Sequence, residues 1–526
     1  QGEFFENSIK DKYTKPEDLV MLLMMCTSKS AIEILSMTHG PEGEIRPYGS
    51  WLVPIKDIPE SFIPEKDARD LYHYCGTHLT LQLPRIIQKL LDHHIDDITQ
   101  TATIGCKLGL SSSQINIFLK KRAAFIRKET GCVRFRIDKL QTQLRLFISA
   151  STHSPSLIYR IFGHEGRGAP ISAYYSALPV AIIEERYNEF AKQYFNEDSE
   201  IKSQKTQQTN HYENYASRSF PKKEIIKERL SAYRNDIEKL PSKTITDIYY
   251  LHNHLTAYTL LSAMLVMGLR PTDGMLEDIN DICFDNGFAL VNDKIVSPSH
   301  ENRLAWFPRE LSEQFQHYRE HLANLAQHAL NDGNESLASK IQTLTLNQKN
   351  HKSHPISFLF FIEADKPAGI TPTKMKNILK GYFPYRLYDC RHFFEGWMEN
   401  KDIYQPIIDA QMGHIYDGRP TYHRNACWSP NEVGEYIKPI QSQLLQDLAW
   451  LPIKGVIYRR KNRVISPNFK LKWRFAKDIR KVKRENARQA RLEVFRKSLK
   501  TSDEKSISLA IGDAASNDME LAEKLT

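Results

Sequence analysis

Ile245 to Asp273 reads ITDIYYLHNHLTAYTLLSAMLVMGLRPTD, and the fold of the chain turns on this stretch. From Ile245 to Met267 it is rich in Leu, Tyr and Met, as a helix buried in a core would be, and Gly268 supplies its natural stop. Immediately downstream the pattern changes. Ile282 to Phe284, Phe288 to Val291 and Ala305 to Phe307 are short β-prone runs, and Asp285-Asn286-Gly287 between the first two is a strong hairpin signal. Ser312 to Leu330 returns to helical spacing, Asn331 to His354 is polar enough for a surface insertion, and Thr373 to Tyr436 reads as helices joined by loops. A buried helix, a small sheet and then more helices predict an α+β domain.

Upstream, Ser199 to Lys223 is polar and lacks aliphatic periodicity, so it is expected to be a linker. Before it, Leu83 to Ile95 and Ile115 to Ile126 repeat apolar residues at three-to-four spacing, and the first half is expected to be mainly helical. Ile104 to Phe118 places a glycine after one short apolar segment and serines ahead of a second. This suits either a helix-turn-helix capped by Ser111 or Ser112, with Lys120, Lys121 and Arg122 facing DNA, or plain helical packing.

The 526 residues have ordinary globular composition, 41% hydrophobic and 26% charged, enough for several domains. The apolar runs Leu19 to Cys26 and Leu260 to Leu269 fall short of the roughly 20 residues that cross a bilayer. No membrane span and a cytoplasmic, nucleoid-associated location are expected. Seven scattered cysteines without C-x-x-C spacing predict reduced thiols, and the histidines and cysteine of His73, Cys75, His78, His93 and His94 match no common zinc spacing, so neither metal nor other cofactor is expected. Net charge is +9, but it is localised: Lys454 to Lys500 holds 18 Lys or Arg against three acids. Arg459, Arg460, Lys472, Arg474, Lys481 and Arg484 in this basic extension are candidate DNA contacts, the alternative being a solvated charged helix.

Four short segments carry chemistry. Met267 to Asp273 (MGLRPTD) contains an arginine after a helix-ending glycine; Lys294 follows the second hairpin strand; Tyr388-Asp389-Cys390-Arg391-His392 is the third segment; and Met412-Gly413-His414 is followed by Tyr422 eight residues after the histidine. In kind and order they resemble the boxes of the tyrosine recombinase (phage integrase) family: T-G-x-R, a hairpin lysine, H-x-L-R-H and L-G-H before the nucleophilic tyrosine. Tyr388 stands where the family usually has the leading histidine. The resemblance covers about residues 225 to 440 and implies site-specific cleavage and rejoining of DNA through a 3′-phosphotyrosyl link.

In that reading Arg270 and Arg391 clamp the scissile phosphate, because guanidinium groups stay charged and fork onto phosphate oxygens. Lys294 protonates the leaving 5′ oxygen, His414 hydrogen-bonds the phosphate, Tyr388 donates a hydrogen bond, and Tyr422 is the nucleophile, with Tyr416 its nearest rival. The implied partners are double-stranded DNA, further copies of the chain, and accessory DNA-bending or directionality proteins.

The organisation expected is an N-terminal helical segment (1–60), a helical DNA-binding domain (61–198), the linker (199–223), the catalytic domain (224–440) and a basic helical extension (441–526). The competing functions are a topoisomerase or resolvase with the same chemistry, and a non-cutting DNA-binding regulator on the same scaffold.

Overall fold

The helix at Ile245–Met267 is the axis of the second half. It is 23 residues long, and nearly all of its side chains from Ile248 to Met267 are buried. Thr244 caps its start in a reciprocal pair with Asp247, and Gly268 ends it with φ +60°. The computed structural model describes residues 15–54, 64–73, 75–76, 78–95, 99–151, 154–162, 171–175, 177–195, 214–217, 219–292, 303–345, 356–414 and 429–458.

Around this axis pack the helices Lys223–Lys239, Arg309–Asn331, Asp389–Asn400 and Pro430–Asp447. The expected hairpin forms an antiparallel three-stranded sheet, with Phe288–Val291 between Ile282–Cys283 and Arg303–Trp306. Gly287 turns the chain at φ +67°; a Cβ there would meet the Phe307 carbonyl at 2.7 Å.

The expected surface insertion at 331–354 is corrected in part. Glu335–Thr345 is a helix that buries Leu337, Ala338, Ile341 and Leu344 against the Arg309–Asn331 helix, because these residues fall at helical spacing within an otherwise polar run. The boundary placed at 440 also moves. The helix Pro430–Asp447 runs through it, and Trp450, Ile453 and Val456 are buried beyond it, so this core extends to Tyr458.

The first half is built on the helix Pro16–Thr27, whose residues Asp18 to Thr27 are all buried. Arg85–His94, Ile115–Thr130 and Ile137–Ser151 pack on it. The expectation of a helical region is incomplete: a five-stranded sheet of order His78–Gln82, Ser50–Pro54, Ile45–Arg46, Thr38–His39, Ala102–Thr103 crosses the boundary drawn at residue 60. Its strands are two to five residues long, too short for alternation to stand out in sequence, although Trp51, Val53, Leu79 and Leu81 do point inward.

The expected helix-turn-helix is a four-residue turn, Ile104–Lys107, followed by the helix Ile115–Thr130. Gln114, not Ser111 or Ser112, holds the N-cap position. The end of the expected linker is corrected too. Asn214–Ala216 is the middle strand between Cys75–Gly76 and Ala177–Pro179, and Ser217, Ser219 and Phe220 are buried. A short strand can form inside a polar stretch when two edges need pairing, because the bonds are made by backbone. Residues 196–213 and 459–526 lie outside the described residues. The described fold is mainly helical with small sheets, and among the described residues no helix is long and apolar enough to cross a membrane.

A chain of neutral imidazoles crosses the second core. Val456 N donates to His321 Nδ1 at 3.1 Å, His321 Nε2 lies 3.1 Å from His252 Nδ1, and His252 Nε2 lies 3.0 Å from the Phe360 carbonyl. Since the carbonyl only accepts and the amide only donates, both rings carry their proton on Nε2. Burial depresses the pKa of both, that of His252 to about 3. The folded state therefore resists protonation, and its stability is full above the unfolded value near 6.5 and falls as the pH drops from there toward 3. Urea unfolding should show this acid slope. His321→Phe should be about 1–3 kcal/mol less stable at pH 7, with the Val456 amide left unpaired, and should show a shallower acid slope. Equal slopes in both proteins would refute the assignment.

Candidate active site

Two helices end side by side, and both end in glycine. Gly268 closes Ile245–Met267, and Gly413 closes Gln405–Met412 at φ +66°. A Cβ at Gly268 would come within 2.6 Å of Met412 Sδ, and one at Gly413 within 2.4 Å of Arg303 Cδ. Only glycine allows both the left-handed conformation and this approach. The last carbonyls of a helix lack partners and carry partial negative charge, so cations settle there.

Arg391, from the helix Asp389–Asn400, donates Nη1 to the Gly268 carbonyl and Nη2 to the Met412 carbonyl, both at 2.5 Å. Arg303, opening the third strand, reaches the carbonyls of Met267, Gly268 and Gln411. Arg391 is fully buried, and its Nε has no hydrogen-bond partner among the described residues.

His414 continues the arrangement. Arg391 Nη2 lies 3.0 Å from His414 Nε2, and Asp409 Oδ1 lies 3.3 Å from His414 Nδ1. A guanidinium can only donate, so Nε2 accepts and the proton sits on Nδ1, facing the carboxylate. Glu395 Oε1 is 4.0 Å from the same Nδ1. Burial pushes Asp409 up to about 7, and burial with Glu399 and Asp409 nearby pushes Glu395 well above the usual carboxyl range. Glu395, Asp409 and His414 each offer one ligand atom within 4.8 Å of the others, so they are the described residues that could gather round a cation. The proton required on Nδ1 by Arg391 favours a hydrogen-bonded triad instead.

Tyr388 stands at the mouth, half-buried, with its phenol 2.5 Å from the phenol of Tyr175. Burial, then Tyr175, raises its pKa to about 12, while Arg391 and Arg270 pull in the opposite direction. Tyr175 lies over the site: its ring stacks on His414 at 5.3 Å, sits 5.4 Å from the Arg391 guanidinium and 4.8 Å from the His392 ring. His392 is neutral near pH 7, its pKa lowered to about 3 by burial and by Arg386 and Arg391; its Nδ1 lies 3.1 Å from Ser217 Oγ.

The structure therefore brings together Tyr388, Arg391 and His414 around Tyr175, with Arg270 two residues beyond the Gly268 carbonyl that Arg391 holds. Arg270 also lines a cavity of about 460 Å³ whose walls include Asp273, Glu277, Asp278 and Asp281. So acidic a wall repels a polyanion. Lys294, Tyr416, Tyr422, Arg459, Arg460, Lys472, Arg474, Lys481 and Arg484 lie outside the described residues. Lys120 and Lys121 are exposed on the helix Ile115–Thr130. Arg122 is not available in the way expected, because it forms a two-point ion pair with buried Asp18, both contacts at 2.7 Å.

Sequence reasoning missed Arg303, Asp409, Glu395 and Tyr175. Asp409, five residues before His414, was the most findable, since it precedes the glycine by one helical turn. Nothing in the local sequence marks Tyr175.

Asp409→Asn isolates the buried acid. A carboxyl whose folded pKa lies near 7 and unfolded pKa near 4 favours the folded state fully at low pH and loses that contribution as the pH rises from about 4 to about 7. The stability difference between wild type and Asp409→Asn should therefore shift toward the variant across this window. Parallel curves, measured by urea unfolding, would contradict the assignment.

Compared with protein-family models, with curated proteins and with solved structures, the chain matches none.

Proposed function

We propose that the chain is a site-specific DNA recombinase that breaks and rejoins strands through a covalent 3′-phosphotyrosyl intermediate. One observation carries the reading: Arg391 hydrogen-bonds both the Gly268 carbonyl, two residues before Arg270, and the ring of His414. Three of the four recombinase-like segments thus meet at one point, although Gly268 and Arg391 are far apart in sequence.

The chemistry follows from the charges. A phosphodiester repels nucleophiles and gains negative charge as it is attacked, so fixed guanidinium groups and a neutral imidazole lower the barrier. The phenol oxygen of Tyr422 bonds to phosphorus and the bond to the 5′ oxygen breaks, Lys294 protonating that oxygen. Attack by a 5′ hydroxyl of another strand reverses the step and frees the tyrosine, with no external energy source. Lys120 and Lys121, with the basic residues from 459 onward, would follow the backbone of the duplex. Several copies of the chain would pair two duplexes.

A second reading, a DNA-binding regulator that does not cut, is favoured by one feature: Arg391 is fully buried and spends its Nη donors on backbone carbonyls and His414.

Incubation with element-end duplex carrying a nick near the cleavage point should trap a covalent protein–DNA adduct. Arg391→Ala should slow its formation by about 10²–10³-fold, and Tyr422→Phe should abolish it while Tyr416→Phe retains it. Adduct in Tyr422→Phe but not in Tyr416→Phe would reassign the nucleophile; no adduct with any protein would favour the regulator. Relaxation of supercoiled DNA without exchange between labelled duplexes would indicate a topoisomerase.

A further inference from the structure

We infer that Tyr175 is a gate over the anion site formed by Arg391 and His414, so that the closed protein excludes a phosphate until this one side chain swings away. The inference rests on the reading that Arg391 and His414 receive a phosphate, and it adds how access to them is controlled.

The guanidinium of Arg391 is the first half of the argument. Its Nη atoms donate to Gly268, Met412 and His414, but Nε is buried and has no acceptor among the described residues. A buried donor without an acceptor is costly, and a charged one more so. An oxyanion seated on this edge would satisfy it. The phenol ring of Tyr175 faces both the guanidinium and the imidazole, so an anion approaching the two groups from that side must displace it. The ring offers its π face to the cation, which partly replaces an anion but accepts no hydrogen bond in the plane of the guanidinium.

The second half is how Tyr175 is held. It comes from the other half of the chain and is 6% exposed. Among the described residues its side chain has one polar anchor, the phenol–phenol hydrogen bond to half-buried Tyr388. The backbone that follows is held separately, since Ala177–Pro179 pairs with Asn214–Ala216 along the strand. Rotating Tyr175 therefore sacrifices a hydrogen bond and ring contacts but no strand pairing. Other hydrogen bonds between the two halves, among them Tyr72 to Asp389, Tyr385 to the Leu71 carbonyl and Ser154 to Glu399, involve neither Tyr175 nor Arg391 and can persist. A phosphodiester competing for Arg391 and His414 meets an affinity reduced by the closed fraction of the gate.

The test uses the full chain and inorganic phosphate, followed by calorimetry, with the nicked duplex in parallel. Tyr175→Ala should bind phosphate at least about tenfold more tightly than wild type. Tyr175→Phe, which keeps the ring but loses the tie to Tyr388, should fall between them, and Tyr175→Ala with Arg391→Gln should return to the wild-type level or below. Should Tyr175→Ala unfold, Tyr175→Phe and the nitration of Tyr175 by tetranitromethane decide: duplex DNA should increase nitration at this residue in the wild type. Unchanged phosphate affinity in the variants, affinity or adduct formation lost in Tyr175→Phe, or nitration insensitive to DNA would each overturn the gate. Tighter phosphate binding without adduct in any variant would keep the gate and remove the strand-cutting reading.

Discussion

Two helix C-termini meeting in the protein interior set the terms for everything around them. At Gly268 and Gly413 the carbonyls of Met267, Gly268, Gln411 and Met412 converge in the interior, and Arg303 and Arg391 donate to them. Buried guanidinium charge is expensive unless it is compensated, so the same constraint explains the acids that follow. Asp409 and Glu395 lie behind His414, and the imidazole relays between them and Arg391. The glycines are required in turn, since a methyl group at either would strike Met412 or Arg303.

This arrangement gives the site two properties that pull in different directions. It is rigid, because its cation is tied to backbone at the ends of two helices, and rigid charge is what electrostatic catalysis needs. It is also closed, because Tyr175 and Tyr388 lie across its mouth. Packing and charge are thus superposed on one residue: removing Arg391 would leave two helix-end carbonyls and His414 without their donor as well as removing a buried cation.

The two halves are joined at the site itself. Tyr72 donates to Asp389, Tyr385 donates to the Leu71 carbonyl, Arg386 bridges Asp389 and Ser219, and Ser154 donates to Glu399. The helix Asp389–Asn400 is therefore shared, with Arg391 and Glu395 turned toward its own domain and Asp389 and Glu399 toward the other. Few of these contacts could be foreseen. Side chains such as Tyr72, Ser154 and Tyr175 have no periodicity of their own, and their partners lie more than 200 residues away.

Local pattern was enough where a residue's role depends on its neighbours in the chain. The helix Ile245–Met267 with its glycine stop, the Asp285-Asn286-Gly287 turn and the strand Phe288–Val291 follow from burial spacing and turn chemistry, which act over a few residues. Local pattern failed where pairing partners are remote: the five-stranded sheet of the first half, the strand Asn214–Ala216 within a polar stretch, and the helix Glu335–Thr345 within another. The candidate site divides in the same way. Arg270, Arg391 and His414 could be named from the sequence because the short segments that hold them resemble, in kind and order, the boxes of one family. That Arg391 grips two helix ends, that His414 is backed by buried acids, and that Tyr175 lies over both were decided only by tertiary structure, since each is a meeting of groups that chain order keeps apart.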